Sequence, residues 1–287
     1  MKVLVTGADG QLGRLLRATA PAGMQVTAWT RADLDIGDAV AVGERIGRLA
    51  PELILNAAAY TAVDKAESEP ELAVRVNAEG PAHLAAAARE VGARLVQVST
   101  DFVFDGLSSS PYRPDAATAP LGVYGRTKRE GELAVLAALP DHSLIVRTAW
   151  VYAAEGRNFL HTMLRLMRER GVVRVVADQV GTPTAARPLA QALWQLAARG
   201  ATGIHHWTDA GVASWYDFAV AIAEEAVVFG LLPGGVTVTP IATVDYPTPA
   251  RRPAYSVLDK TSLASFGLTP IHWRQSLRAT LQEVRGA

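Results

Sequence analysis

The sequence contains no cysteine. That excludes disulfides, thiol catalysis and zinc–thiolate sites, and it fits a reducing, cytoplasmic setting. It also lacks an excess of either charge. The 28 lysines and arginines balance 28 aspartates and glutamates, so no basic field invites nucleic acid. It lacks a long apolar run. The opening MKVLVTGADG meets glycine too soon for a signal peptide or a membrane span, and the alanine-rich AHLAAAAREVGA is broken by charge. No internal repeat or low-complexity linker is visible. What is present, 49% hydrophobic and 20% charged residues over 287 positions, is the composition of a globular protein. That length suits one large domain or two small ones, with a core that needs no staples.

Short β-branched runs alternate with helical stretches through the first half. KVLVT (2–6), MQVTAW (24–29), ELILN (52–56), ARLVQVS (93–99) and SLIVRTAW (143–150) read as strands. Between them, QLGRLLRAT, DAVAVGERIGRLA with Asp38 as N-cap, PELAVRVNAEGPAHLAAAARE and the segment that carries Tyr124 and Lys128 read as helices. Repeated βαβ units build an α/β fold of the Rossmann type, a doubly wound parallel sheet. Beyond Trp150 prolines punctuate the rhythm, with helices expected near 157–170, 185–199, 213–229 and 273–285. The expected division is a dinucleotide-binding domain over 1–150 and a smaller, less regular α/β substrate-binding part over 151–287. The chain is expected to pass between the two more than once.

TGADGQLG (6–13) follows the first strand and opens a helix. Gly7 allows a tight turn, Gly10 lets backbone approach a pyrophosphate, and Gly13 permits close helix–strand packing. The helix N-terminus then offers free N–H groups to the phosphates. Out of context, such a triplet is also a plain turn; its position favours a dinucleotide. The second strand ends AWTRADLDI, where Arg31 precedes any acid. An arginine there suits the 2′-phosphate of NADPH, with NADH as the alternative cofactor. A solvated surface arginine is the other reading of Arg31. Asp35 and Ile36 lie further on and flank the expected adenine position, and the small residues of NAAAY (56–60) let a dinucleotide lie over the strand ends.

VQVSTDFVFDG (96–106) puts Ser99, Thr100 and Asp101 at the carboxyl end of the fourth strand, the edge where ligands of such sheets bind. Tyr124 and Lys128 are spaced i, i+4 and share one helix face. A phenol with an ordinary pKa near 10 is a weak acid–base group at neutral pH, so the lysine ammonium is expected to draw it down. The Tyr-x-x-x-Lys spacing alone arises by chance; with the glycine loop and Ser-Thr-Asp it becomes specific. Adjacent His205 and His206 point to opposite faces of a strand, which argues against a shared metal, and no metal site is expected.

At these residues the chain resembles the extended short-chain dehydrogenase/reductase superfamily, and within it the dTDP-4-dehydrorhamnose reductase family. The segments that carry the likeness are GADGQLG, NAAAYTAVDKAESEPELAVRVNAEGP, STDFVFDG, VYGRTKREGE, RTAWVYAAEGRNF, DQVGTPT and YPTPARRPAYSVLD. AAYTAVDKAE and RTAWVY are its most diagnostic parts. The resemblance implies that Gly10, Gln11 and Leu12 cradle the pyrophosphate and that Ala59, Tyr60 and Thr61 line the cofactor. It implies Thr100, Tyr124 and Lys128 as the catalytic set, with Tyr124 as proton donor and Lys128 on the nicotinamide ribose. Asp101 and Trp150 fall where the family contacts the sugar. The implied reaction is NADPH-dependent reduction at C4 of a dTDP-4-ketosugar. Its diphosphate calls for arginines: Arg157, Arg187, Arg251 and Arg252 are candidates, Arg252 first. Phe102 departs from the tyrosine common at its place. The first helix carries no acid, so no magnesium-bridged dimer is expected; a homodimer or a monomer remains. The competing readings are a related ketosugar, a nucleotide-sugar epimerase with retained NAD, and a non-catalytic regulatory relative.

Overall fold

The computed structural model describes residues 1–286. The first half runs β1 (Lys2–Thr6), α1 (Gln11–Ala18), β2 (Gln25–Trp29), α2 (Ala39–Leu49), β3 (Leu53–Asn56), α3 (Val63–Ala66), α4 (Pro70–Val74), α5 (Gly80–Val91), β4 (Arg94–Thr100), α6 (Val123–Ala138) and β5 (Ser143–Thr148). The second runs β6 (Val151–Tyr152), α7 (Phe159–Arg170), β7 (Val172–Val176), β8 (Val180–Gly181), β9 (Thr184–Ala185), α8 (Ala186–Ala198), β10 (Gly203–His206), β11 (Ala213–Ser214), α9 (Trp215–Val228), β12 (Thr237–Ile241) and α10 (Trp273–Gly286).

Six strands form one parallel sheet in the order β10-β5-β4-β3-β1-β2. Their side chains alternate between two cores, as strand geometry dictates. Val3, Val5, Leu53, Leu55, Leu144 and Val146 meet Leu16 of α1 and Leu189, Leu193 and Trp194 of α8. Leu4, Ile54, Leu95 and Ile145 point the other way, onto Val42, Ile46, Leu84, Ala88 and Val135 of α2, α5 and α6. A third core joins α7, α9 and α10 to the two-stranded β7–β12 sheet.

The sheet progresses from β1 outward in both directions, so its topological switch lies between β1 and β3. In open sheets of this kind the loops leaving such a pair of strands part and leave a crevice.

Two expected elements differ in detail. The stretch from Pro70 to Val91 is not one regular helix: a π turn over Arg75–Glu79 separates α4 from α5. The fifth strand stops at Thr148, and Trp150 lies beyond it in a left-handed conformation at φ 50°. Asp38 caps α2 as expected, its carboxylate accepting from Ala41 N–H at 3.0 Å.

Candidate active site

The crevice at the switch point is the mouth of a cavity of about 890 Å³. The glycine loop forms one wall. Gly7 adopts φ 68°, and a Cβ there would fall 2.6 Å from Ala58 N. A Cβ on Gly13 would fall 2.1 Å from the Gly7 carbonyl oxygen, so α1 packs against the loop at a distance only glycine allows. No side chain caps α1. Gly10, Gln11 and Leu12 line the cavity at that uncapped end. A cradle that a Cβ would fill, beside a free helix N-terminus, fits a dinucleotide pyrophosphate.

A smaller cleft of about 250 Å³ continues past Gly7 to the end of β2, where Arg31, Asp35, Ile36, Ala59 and Tyr60 line it. Arg31 is exposed and makes no ion pair among the described residues. Two nearby acids are engaged: Asp35 with Arg75, and Asp33 with the backbone and hydroxyl of Thr30. Arg31 and Asp9 are left as the lining charges without a partner among the described residues, Arg31 at the end of β2 and Asp9 in the glycine loop. Tyr60 donates its hydroxyl to Glu69 at 2.5 Å, and that bond above all raises its pKa to about 12.

At the carboxyl ends of β4 and β5, Thr100, Asp101, Tyr124, Lys128, Thr148 and Trp150 line the large cavity, with Ala59, Thr61 and Arg252 on the same wall system. The Thr148 hydroxyl, buried there, has no hydrogen-bond partner among the described residues. Two outside groups place the Tyr124 helix. Glu67 accepts from Val123 N–H at 2.8 Å and so caps α6 from another element. Asn77, in the π turn, donates to Thr127 Oγ1 at 3.3 Å and bonds both backbone groups of Tyr60. Neither residue was singled out from sequence. Both stand within the segment AESEPELAVRVNAEGP, but nothing in its periodicity marks them.

The electrostatics depart from the sequence expectation. Lys128 Nζ donates to Val98 O at 2.6 Å, and its charge is not among the groups that set the Tyr124 pKa. Burial instead raises the phenol to about 12, with the Thr100 hydroxyl lowering it and Asp101 raising it further. Burial lowers Lys128 to about 8, against the opposing charge of Glu132 one turn on. Burial would raise the Glu132 carboxyl, but Arg147 outweighs it through bonds of 2.8 Å from Nε and Nη2, helped by Ser99 and Arg129. Asp101 is fully enclosed; burial lifts its pKa to about 6 despite hydroxyls from Ser256 and Thr100.

Of the four candidate arginines, Arg157, Arg187 and Arg252 line the cavity and Arg251 does not. Arg252 is held by Asp64 at 2.7 Å and Arg187 by Glu283 at 2.7 Å, whereas Arg157 makes no ion pair among the described residues. His205 bonds Ser262 and Thr202, and His206 bonds Asp259 O, so the two rings serve separate partners. Trp150 stacks on Trp215, with ring centroids 3.6 Å apart and planes 7° from parallel. A left-handed non-glycine residue costs about 1–2 kcal/mol, which such packing has to offset. Phe102 meets Tyr124 edge-on at 5.5 Å, an apolar contact in place of a hydroxyl.

A family model described as RmlD substrate binding domain matches residues 1–285. The dTDP-4-dehydrorhamnose reductase of Streptomyces griseus is 46% identical over 291 aligned positions, covering 99% of this chain and 94% of the relative. Among solved structures, a dTDP-4-dehydrorhamnose reductase from Clostridium acetobutylicum superposes with TM-score 0.95 at 41% identity, over 99% of this chain and 100% of the other. The enzyme of that name from Bacillus anthracis, in complex with NADP, superposes with TM-score 0.92 at 35% identity, over 98% and 99%. Matched end to end in sequence and in fold, this chain belongs to the dTDP-4-dehydrorhamnose reductase family of extended short-chain dehydrogenases/reductases.

Proposed function

We propose that the protein binds NADPH across the switch-point crevice and reduces the C4 keto group of dTDP-4-dehydro-β-L-rhamnose to give dTDP-β-L-rhamnose. The observation that carries this reading is the shared cavity: Thr100, Tyr124 and Lys128 line the same space as the glycine cradle and Trp150. When bound, the reduced nicotinamide supplies the hydride for the C4 carbon. Tyr124 supplies the proton for the C4 oxygen. Its pKa of about 12 keeps the phenol protonated at neutral pH, and an alkoxide is a stronger base than a phenolate, so the transfer runs downhill. Thr100, whose single hydroxyl proton goes to Asp101 at 3.0 Å, turns that donor to the same oxygen when the ketosugar binds. Lys128, anchored on Val98 O, holds the nicotinamide ribose. Arg31 meets the 2′-phosphate, and the two acids beside it in sequence, Asp33 and Asp35, are already engaged.

The test is NADPH oxidation, followed by absorbance, with the ketosugar generated in situ from dTDP-glucose and NADH run in parallel. NADPH is expected to be the better reductant. Tyr124→Phe is expected to lower kcat at least about 100-fold while NADPH affinity stays within about twofold. A variant that turns over near the wild-type rate would remove Tyr124 as the donor.

A further inference from the structure

We propose that Trp215 and Gly181 are positioning residues for Trp150, and that together they set affinity for the pyranose ring of the substrate. The inference rests on the reading above that Trp150 meets the sugar. Trp150 is the one tryptophan with positive φ among the described residues, so its backbone does not by itself favour the conformation that places the indole in the cavity. Two neighbours hold it there. Trp215 covers a face of the indole in the near-parallel stack. Gly181 meets its edge: a Cβ on Gly181 would fall 2.7 Å from Cε2 and 2.9 Å from Nε1 of Trp150.

A single ladder supplies both neighbours. β8 and β11 pair antiparallel, Ala213 opposite Gly181 and Ser214 opposite Val180, and Trp215 follows directly. Trp215 is fixed in turn. A reciprocal cap joins Ser214 and Asp217, with Ser214 N–H donating to the Asp217 carboxylate at 2.8 Å and Asp217 N–H donating to Ser214 Oγ at 3.0 Å. The Phe159 ring packs on Trp215 at 4.7 Å. A rigid, flat indole suits the apolar C–H face of a pyranose, and its value depends on being held before the sugar arrives.

The test compares two ligands by calorimetric titration: dTDP-β-L-rhamnose and dTDP alone. Trp215→Ala is expected to weaken the nucleotide sugar about tenfold or more and dTDP by less than about twofold. Trp215→Phe, which keeps a stacking ring, is expected to recover most of the loss. Gly181→Ala is expected to reproduce the selective loss by displacing the indole. NADPH affinity is expected to be unchanged in all three. Equal weakening of both ligands, or of neither, would overturn the assignment. The wild-type turnover assay stands apart: an inactive wild type would sink the proposed reaction, while the two-ligand comparison would still decide on Trp215.

Discussion

Asp101 is a carboxyl group enclosed beside the phenol that is proposed to give up a proton. Its pKa in the folded chain, about 6, lies above the ordinary 3.8. The folded state therefore binds that proton more tightly than the unfolded state. The stability this contributes is complete below about pH 3.8 and is lost as pH rises through about 6, a change on the order of 3 kcal/mol. Asp101→Asn, neutral at every pH, is expected to raise the melting temperature over wild type by several degrees at pH 7.5 and by much less at pH 4.5. Calorimetric scans at the two values check this, and a pH-independent difference would contradict it. Loss of the carboxylate is also expected to reduce turnover, because Asp101 accepts from Thr100 Oγ1 at 3.0 Å. At this scale much of the site was legible. Thr100 ends β4 with Asp101 just beyond it, and Tyr124 and Lys128 share a helix face; with the family resemblance, those placements pointed to one cavity, which all four line. The partner of Lys128 was not legible. Val98 O is a backbone atom whose approach depends on how α6 lies across β4.

The π turn and α6 approach so closely that a Cβ on Gly131 would fall 2.1 Å from the carbonyl oxygen of Asn77. A backbone atom cannot swing away as a flexible side chain can. Gly131→Ala is expected to cost about 2–3 kcal/mol in urea unfolding and to lower activity, because Asn77 also tethers Thr127 and Tyr60. A variant as stable as wild type would mean that the π turn and α6 slide apart freely. The five strands of the first half were legible to within a residue or two because short, continuous apolar runs such as VLV, LIL and LIV suit parallel strands buried on both faces. The π turn at Arg75–Glu79 was not, since one extra residue in a helix barely disturbs its apolar spacing. Within that turn the Asn77 amide pairs with both backbone groups of Tyr60, a contact between segments that helical spacing does not reveal. The left-handed Trp150 escaped for the same reason, because its strain is offset by residues far along the chain.

Across the whole molecule, the cavity lies where the sheet meets the third core, and Arg252 ties the two sides through Asp64. That bond first of all lowers the Asp64 pKa, which keeps the pair ionised. Arg252→Ala is expected to raise the ketosugar KM about tenfold or more with NADPH affinity unchanged. If Arg157→Ala did so instead, the diphosphate would belong to Arg157, the lining arginine without a carboxylate partner among the described residues. Sequence named both candidates and put Arg252 first, but it did not show which of them an acid engages, since ion pairs between residues so far apart depend on the folded path. The order of the central sheet has a further consequence, which falls on synthesis. β5 is a fully buried strand whose outer neighbour, β10, follows about 50 residues later, a delay of roughly 3–10 s at ordinary elongation rates. Until then β5 presents an unpaired edge at the ribosome, open to strands of other nascent chains. Slow translation between the two would lengthen that exposure, so the yield of soluble protein should depend on codon speed between Thr148 and Gly203.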